Sequence, residues 1–163
     1  MSGFFGLTSK SKGMASRGTY IYDYPRPAVT TDCVVFGREA SGALSVLLIE
    51  RGGAPFEGCW AFPGGFLEMD ETVEEGAARE LLEETGLCLS PASGQLTQLG
   101  CYSEVDRDPR GRVITIAFYA LIEKQPVKGS DDARQAQWFP LSALPPLAFD
   151  HALILRHALE RLR

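Results

Sequence analysis

Short β-rich runs broken by polar and glycine residues dominate the apolar pattern of the chain, and helical periodicity is confined to two stretches. Pro25-Arg26-Pro27 reads as an extended entry, because each proline fixes its own φ and biases the preceding residue away from helix. Ala28–Phe36 and Ala43–Glu50 follow, and the polar link from Gly37 to Gly42 predicts an antiparallel hairpin. Beyond a loop with Gly52, Gly53 and Pro55, the run Cys59–Phe62 ends at Pro63-Gly64-Gly65. Thr72 to Thr85, rich in Glu, Ala and Leu, predicts the first helix, stopped at Gly86, a residue suited to a left-handed C-terminal turn. Further strands are expected at Leu96–Glu104, Val113–Ile122 and Gln137–Phe139. A last helix runs from His151 to Leu162, with Asp150 placed to cap it and Leu155, Leu159 and Leu162 as its core-facing stripe. The expectation is an α+β fold in three layers, one sheet with helices on its faces.

Composition sharpens this picture at the N-terminus. Met1 to Tyr20 holds four Gly, four Ser, three basic residues and no acid, without any period. Residues 1–20 are therefore expected to be a flexible tail rather than an amphipathic transit peptide, ahead of one domain over 21–163. The chain's net charge is −5, so with +3 in the tail the rest carries −8. With 45% hydrophobic residues among 163, a packed core is affordable without staples and disorder is excluded. No apolar run approaches the roughly 20 residues a membrane span needs. The acidic balance makes nucleic acid a poor partner. Cys33, Cys59, Cys88 and Cys101 form no close pair of the kind zinc sites use and read as reduced thiols, mostly small core residues, of a cytoplasmic protein.

The chemistry concentrates between Gly65 and Leu87. On a helix of 3.6 residues per turn, Glu80, Glu83 and Glu84 fall within about 100° of one face, while Ala78, Leu81 and Leu82 take the other. Like charges at that spacing repel, and a hard divalent cation would relieve the repulsion; a solvated acidic face is the plain alternative. Carboxylate-bound Mg²⁺ suits phosphate-bearing substrates, whose oxygens it bridges. A second cluster, Arg107, Arg110 and Arg112, gathers three guanidiniums around Pro109 and Gly111. Planar forks of donors match phosphate oxygens, so this is either a pyrophosphate clamp or a hairpin turn with solubilising charges. Arg51 at a strand end either reaches the same site or stays a surface residue, and Phe56 on its loop is a candidate base-stacking platform. Trp60 and Phe62 read as core, His151 as structural and His157 as surface.

The full pattern Gly65-x5-Glu71-x7-Arg79-Glu80-Leu81-x-Glu83-Glu84-x-Gly86-Leu87 resembles the Nudix box without a departure, and chance would produce it at about one start in 10⁹ to 10¹⁰ from average residue usage. The resemblance implies an α/β/α sandwich with a mixed sheet. It also implies hydrolysis of a nucleoside diphosphate linked to another group, with Mg²⁺ or Mn²⁺. It makes Glu80, Glu83 and Glu84 metal ligands, with Glu83 and Glu84 catalytic. Glu71 and Arg79 become the ion pair that holds loop against helix, and Gly64, Gly65 and Gly86 become backbone necessities. Pro55 to Gly65, Asp106 to Arg112, Gly129 to Ala133 and Leu147 to His151 are similar to the ADP-ribose pyrophosphatase branch, over about Tyr24 to Leu162. That branch implies cleavage of ADP-ribose to AMP and ribose 5-phosphate, with Arg51, Phe56, Arg107, Arg110 and Arg112 as substrate contacts.

The general base stays open among Glu83, Glu84, Glu104, Asp131 and Asp132. Two other readings remain: a Nudix hydrolase of a different diphosphate derivative or damaged triphosphate, and an ADP-ribose-sensing regulator. The intact box, the acidic balance and the end of the chain at Arg163, just past the last helix, are expected of an enzyme. Kinship also suggests a homodimer through Tyr20–Phe36.

Overall fold

The computed structural model describes residues 20–129 and 133–163. The expected tail therefore lies outside the described residues except for Tyr20, and so do Asp131 and Asp132. Seven strands form one sheet: β1 (Ala28–Arg38), β2 (Leu44–Arg51), β3 (Trp60–Ala61), β4 (Gly64–Phe66), β5 (Thr97–Tyr102), β6 (Val113–Glu123) and β7 (Ala133–Pro140). Helices α1 (Val73–Thr85) and α2 (His151–Arg161) cover its two faces.

Successive residues of a strand point to opposite faces, and here both faces are covered, which is why the central strands read as continuous apolar runs. Cys33 and Val35 of β1, Leu47 of β2 and Phe118 and Ala120 of β6 pack with Ala77 and Leu81 of α1. Val34, Phe36, Val46, Leu48 and Ala117 point the other way, onto Ile154, Leu155 and Ala158 of α2. The α+β, three-layer expectation therefore holds, with a mixed sheet: β1 and β6 run parallel and the remaining pairs antiparallel.

One irregularity of the sheet makes the site. β1 and β2 pair only at one end, Phe36↔Val46 to Arg38↔Leu44. At the other end they splay, and the chain from Trp60 to Phe66 fills the gap. β3 pairs with β2 at Ile49↔Ala61, and β4 pairs with β1 at Asp32↔Gly64 and Thr30↔Phe66. The pocket described below opens on that wedge.

α1 begins at Thr72, whose hydroxyl accepts from Glu75 N–H while Glu75 reaches back to Thr72 N–H, a reciprocal cap that satisfies two orphan donors. It stops where Gly86 turns left-handed at φ 71°, as the sequence suggested. Its buried stripe is Gly76, Ala77, Leu81 and Thr85; Leu82, expected in the core, is exposed because it lies a further 100° around the axis. Asp150 does sit at the start of α2 but makes no capping bond, its carboxylate being engaged by Arg107.

Three more expectations change. Only Cys33 is a core thiol, whereas Cys88 and Cys101 are exposed. His157 is half-buried, with Nδ1 3.0 Å from the Tyr102 hydroxyl. β1 lies between β2 and β6 in the middle of the sheet, so the Thr30–Phe36 part of the suggested dimer surface is internal. Tyr20, Ile21 and Tyr24 ahead of it are exposed. No described helix is long and apolar enough to cross a membrane.

Candidate active site

Glu84 of α1 is the first fixed point of the site. Its Oε2 accepts a hydrogen bond of 2.8 Å from Gly64 N–H, which ties the helix to the wedge strand β4. The carboxyl is largely withdrawn from water, and this desolvation, reinforced by the nearby Glu80 and Asp32 charges, pushes its pKa up to about 8. Gly64 must lack a side chain here, and Gly65 packs directly under the Glu80 carboxylate. A Cβ on Gly64 would collide with Thr31 O, and one on Gly65 would stand 2.5 Å from Glu80 Oε1.

Arg79 organises the remaining acids. Its guanidinium grips Glu71 at 2.6 Å and 2.9 Å, reaches Glu80 Oε1 at 2.7 Å and Glu83 Oε2 at 3.2 Å, and donates to Phe66 O. Glu71 in turn accepts from Glu68 N–H, so the ion pair holds the loop after β4 against α1. These bonds hold Arg79 firmly protonated, above its ordinary value, while burial raises Glu80. Glu83 is the outlier, with a side chain 58% exposed.

Among the described residues, no three His, Cys, Asp or Glu side chains already converge as a ligand set. Glu80 and Glu83 lean on Arg79 while Glu84 faces Gly64. The donor chemistry nonetheless fits a hard cation. Only carboxylate oxygens are offered, and for the Glu84 carboxyl desolvation outweighs the Gly64 N–H bond and the Arg51 charge that favour its ionised form, so a cation there would relieve it. Drawing Glu80 and Glu83 into one set with Glu84 requires them to turn from Arg79, which keeps Glu71 as its bidentate partner.

The pocket beside Glu84 is lined by Asp32, Arg51, Gly64, Phe66, Arg107, Asp108, Arg110, Phe149 and His151 among others. Of the five sequence-designated substrate contacts, it gathers Arg51, Arg107 and Arg110. The three-arginine cluster does not act as one clamp. Arg107 is buried and bound two-pronged to Asp150, at 2.9 Å and 2.7 Å. Arg110 is forked onto Asp108 and lies over the Phe66 and Phe149 rings, 5.1 Å and 5.7 Å from their centroids. Arg112 turns away to the carbonyls of Ser103 and Glu104 and closes the loop. Arg51 donates through Nε to Pro55 O and stacks on Phe149 at 4.9 Å. Among the described residues its two terminal nitrogens carry no hydrogen bond, and burial lowers its pKa.

Phe56 lies outside the lining but braces it, edge-on to Phe149 at 4.8 Å. Both phenylalanines hold a positive φ, 62° and 51°, a costly backbone state for a bulky residue and one that gathers at functional sites. Glu104, one of the open choices for a base, lines a different groove, between β5 and α2 with Tyr102, Asp150 and His157.

Among the lining residues that the sequence did not single out for the site are Asp32 and His151. Asp32 sits in the middle of β1, between Thr31 and the apolar Cys33–Phe36, and nothing in the sequence said that β1 and β2 splay beside it. His151, expected to be structural, does make structural contacts and also lines the pocket. Its Nδ1 accepts from Phe62 N–H at 3.0 Å and its ring stacks on Phe62, while the opposite edge faces the pocket. Burial depresses its pKa, so the ring is neutral.

Comparison with known proteins agrees with this geometry. An ADP-ribose pyrophosphatase of Methanocaldococcus jannaschii is 47% identical over 133 residues, 82% of this chain and 73% of that protein. An ADPR responsive transcriptional repressor, NtrR, of Acinetobacter baylyi is 38% identical over 148 residues, 86% of this chain and 56% of that protein, so the chain spans little more than half of it. The NUDIX domain of Shewanella oneidensis NrtR, solved in complex with ADP ribose, superposes with a TM-score of 0.79 at 32% identity, over 86% of this chain and 91% of that one. The NUDIX domain pattern itself matches residues 26–162. A matched span that takes in every described strand and helix, with an unbroken box on α1, makes this chain a member of the Nudix family of pyrophosphate-hydrolysing enzymes.

Proposed function

We propose that the chain cleaves the pyrophosphate of ADP-ribose to AMP and ribose 5-phosphate, with Mg²⁺ or Mn²⁺ as cofactor. The observation that carries the reading is one pocket lined both by the half-buried Glu84 carboxyl of an intact box and by the guanidiniums of Arg51 and Arg110. The likeness to an ADP-ribose pyrophosphatase over 82% of the chain supports it.

In this reading Glu80, Glu83 and Glu84 hold the cation. A cation held there would offset the negative charge of the diphosphate and lower the pKa of a water molecule. Arg79 and Glu71 hold the loop so that Gly64 and Gly65 stay close to α1. Arg51 offers its terminal donors to a phosphate oxygen, and Arg110, forked onto Asp108 beside the two aromatic rings, offers a second guanidinium. Charge that develops on the departing phosphate is met by groups already in position, which is where such stabilisation acts. Phe149, braced by Phe56, closes the apolar side. Arg107 serves this site indirectly, by fixing Asp150 between Phe149 and His151.

The substrate is a nucleotide rather than a nucleic acid, in keeping with the net charge of −5, and the free thiols fit a cytoplasmic setting. The exposed Tyr20, Ile21 and Tyr24 are the surface a second copy would cover. The kinship with an ADPR responsive repressor favours one other reading, binding of ADP-ribose without turnover. A panel of nucleoside diphosphate derivatives with Mg²⁺, followed by phosphatase-coupled phosphate release, tests both. ADP-ribose should show the highest kcat/KM and triphosphates such as 8-oxo-dGTP a much lower one. A better triphosphate overturns the substrate, and tight ADP-ribose binding without products favours the sensor.

A further inference from the structure

Asp32 is a buried acid outside the box, 8% exposed, in the middle of the sheet. Its Oδ2 accepts from the Thr115 hydroxyl on the neighbouring strand β6. Its Oδ1 faces His151 Nε2 at 3.6 Å, too long for a hydrogen bond. The state of His151 follows from its other nitrogen. Nδ1 accepts from Phe62 N–H, so the ring proton sits on Nε2 and that atom is a donor. Stacking against Phe62, with centroids 4.8 Å apart and planes within 12°, fixes where the donor points. Both residues line the same pocket as Glu84. A fixed acceptor and a fixed donor thus stand side by side, close but not mated.

We propose that Asp32 and His151 form a subsite for a hydroxyl of the sugar joined to the substrate's diphosphate. A hydroxyl accepts and donates at once, so a single group can take the Nε2 hydrogen and give its own to Oδ1. A phosphate oxygen can only accept and would be repelled by Asp32, whereas an ammonium can only donate. Position supports the same choice. Asp32 pairs with Gly64 across the ladder, and Gly64 N–H bonds Glu84, so the subsite adjoins the carboxylate that the proposed function gives to the cation. The group that follows a diphosphate in ADP-ribose, on either side, is a ribose. The subsite rests on that functional reading and extends it to the recognition of the sugar.

Two variants separate recognition from structure. Asp32→Ala removes the acceptor. His151→Asn keeps an acceptor within reach of Phe62 N–H but withdraws the Nε2 donor, so it tests the subsite even where Asp32→Ala folds poorly. Each is assayed with ADP-ribose, with the β-methyl ester of ADP, which lacks the distal ribose, and with the analogue lacking the adenosine ribose hydroxyls. Calorimetric binding of the same three compounds in EDTA gives a readout without turnover. For ADP-ribose, kcat/KM and affinity should fall about 10- to 100-fold, the range for losing a hydrogen bond to a charged or buried partner. For the analogue that lacks the recognised hydroxyl, both should change less than about threefold, since there is no bond left to lose. Equal losses on all three compounds, or no loss on ADP-ribose, overturn the subsite and leave the functional reading intact. A wild-type protein that neither binds nor cleaves ADP-ribose overturns the functional reading and the subsite with it.

Discussion

Replacing Arg107 with Ala should unfold the protein more readily before it does anything to catalysis. The guanidinium is 3% exposed and donates two parallel bonds to Asp150, whose side chain is 17% exposed. Breaking a buried pair by removing one partner typically costs about 3–5 kcal/mol, because the other charge is left without compensation. With the partly wet Asp150, the lower half of that range applies. For a domain near 150 residues each kcal/mol moves Tm by about 2–4 °C, so the variant should melt roughly 6–16 °C lower. Arg107→Lys should recover only part of this, since an ammonium cannot reproduce the two-pronged fork. A double-mutant cycle with Asp150→Ala by thermal melts and urea unfolding isolates the pair, and the double variant should be more stable than the sum of the single losses predicts. Arg112→Ala, whose exposed side chain meets only two loop carbonyls, is the comparison and should move Tm little. An Arg107→Ala protein with wild-type Tm and a raised KM for ADP-ribose would refute the reasoning and make Arg107 a substrate contact.

Glu84→Gln should lower kcat by at least about 10²-fold with the fold intact, because an amide is a poor ligand for a hard cation; near wild-type turnover at saturating Mg²⁺ would leave the acidic face merely solvated. In EDTA the wild-type protein should lose stability as pH rises from about 5 to 9. Glu84 is raised from 4.5 to about 8 in the fold, so its contribution is complete below the unfolded value and lost as pH climbs through the folded one; Glu84→Gln should flatten that part of the Tm profile. Arg79→Ala should reduce both activity and Tm, since Glu71, Glu80 and Glu83 lose a shared partner. A loss of activity with Tm unchanged would place Arg79 on the substrate instead.

What could be read from the sequence was what a local period or a strict spacing encodes. Helix α1 and its glycine stop are statements about residues within one or two turns, and the ion pair of Glu71 with Arg79 came with the box. The strands of the central sheet were visible as apolar runs because both their faces are buried. β4 was not, since Gly64-Gly65-Phe66 has no strand character of its own and pairs only because β1 and β2 splay to admit it. The arginine cluster misled for a related reason. Whether a guanidinium is free for phosphate depends on which carboxylate stands opposite, and Asp150 is 43 residues from Arg107 in sequence. Asp108, only two residues from Arg110, is close enough to occupy the whole fork.

The same logic explains why Asp32 stayed hidden. An acid in the run Thr30-Thr31-Asp32-Cys33-Val34 looks like an interruption of a strand until the topology sets it against Gly64 on one side and Thr115 on the other. Burying a carboxylate in a sheet is costly without hydrogen bonds, and Thr115 supplies one to Oδ2 while Oδ1 is left to the pocket. A residue placed only for stability would have both oxygens satisfied by the protein. The half-satisfied acid, beside a histidine whose tautomer is fixed by the backbone of Phe62, is therefore the part of the fold whose arrangement is best accounted for by a ligand.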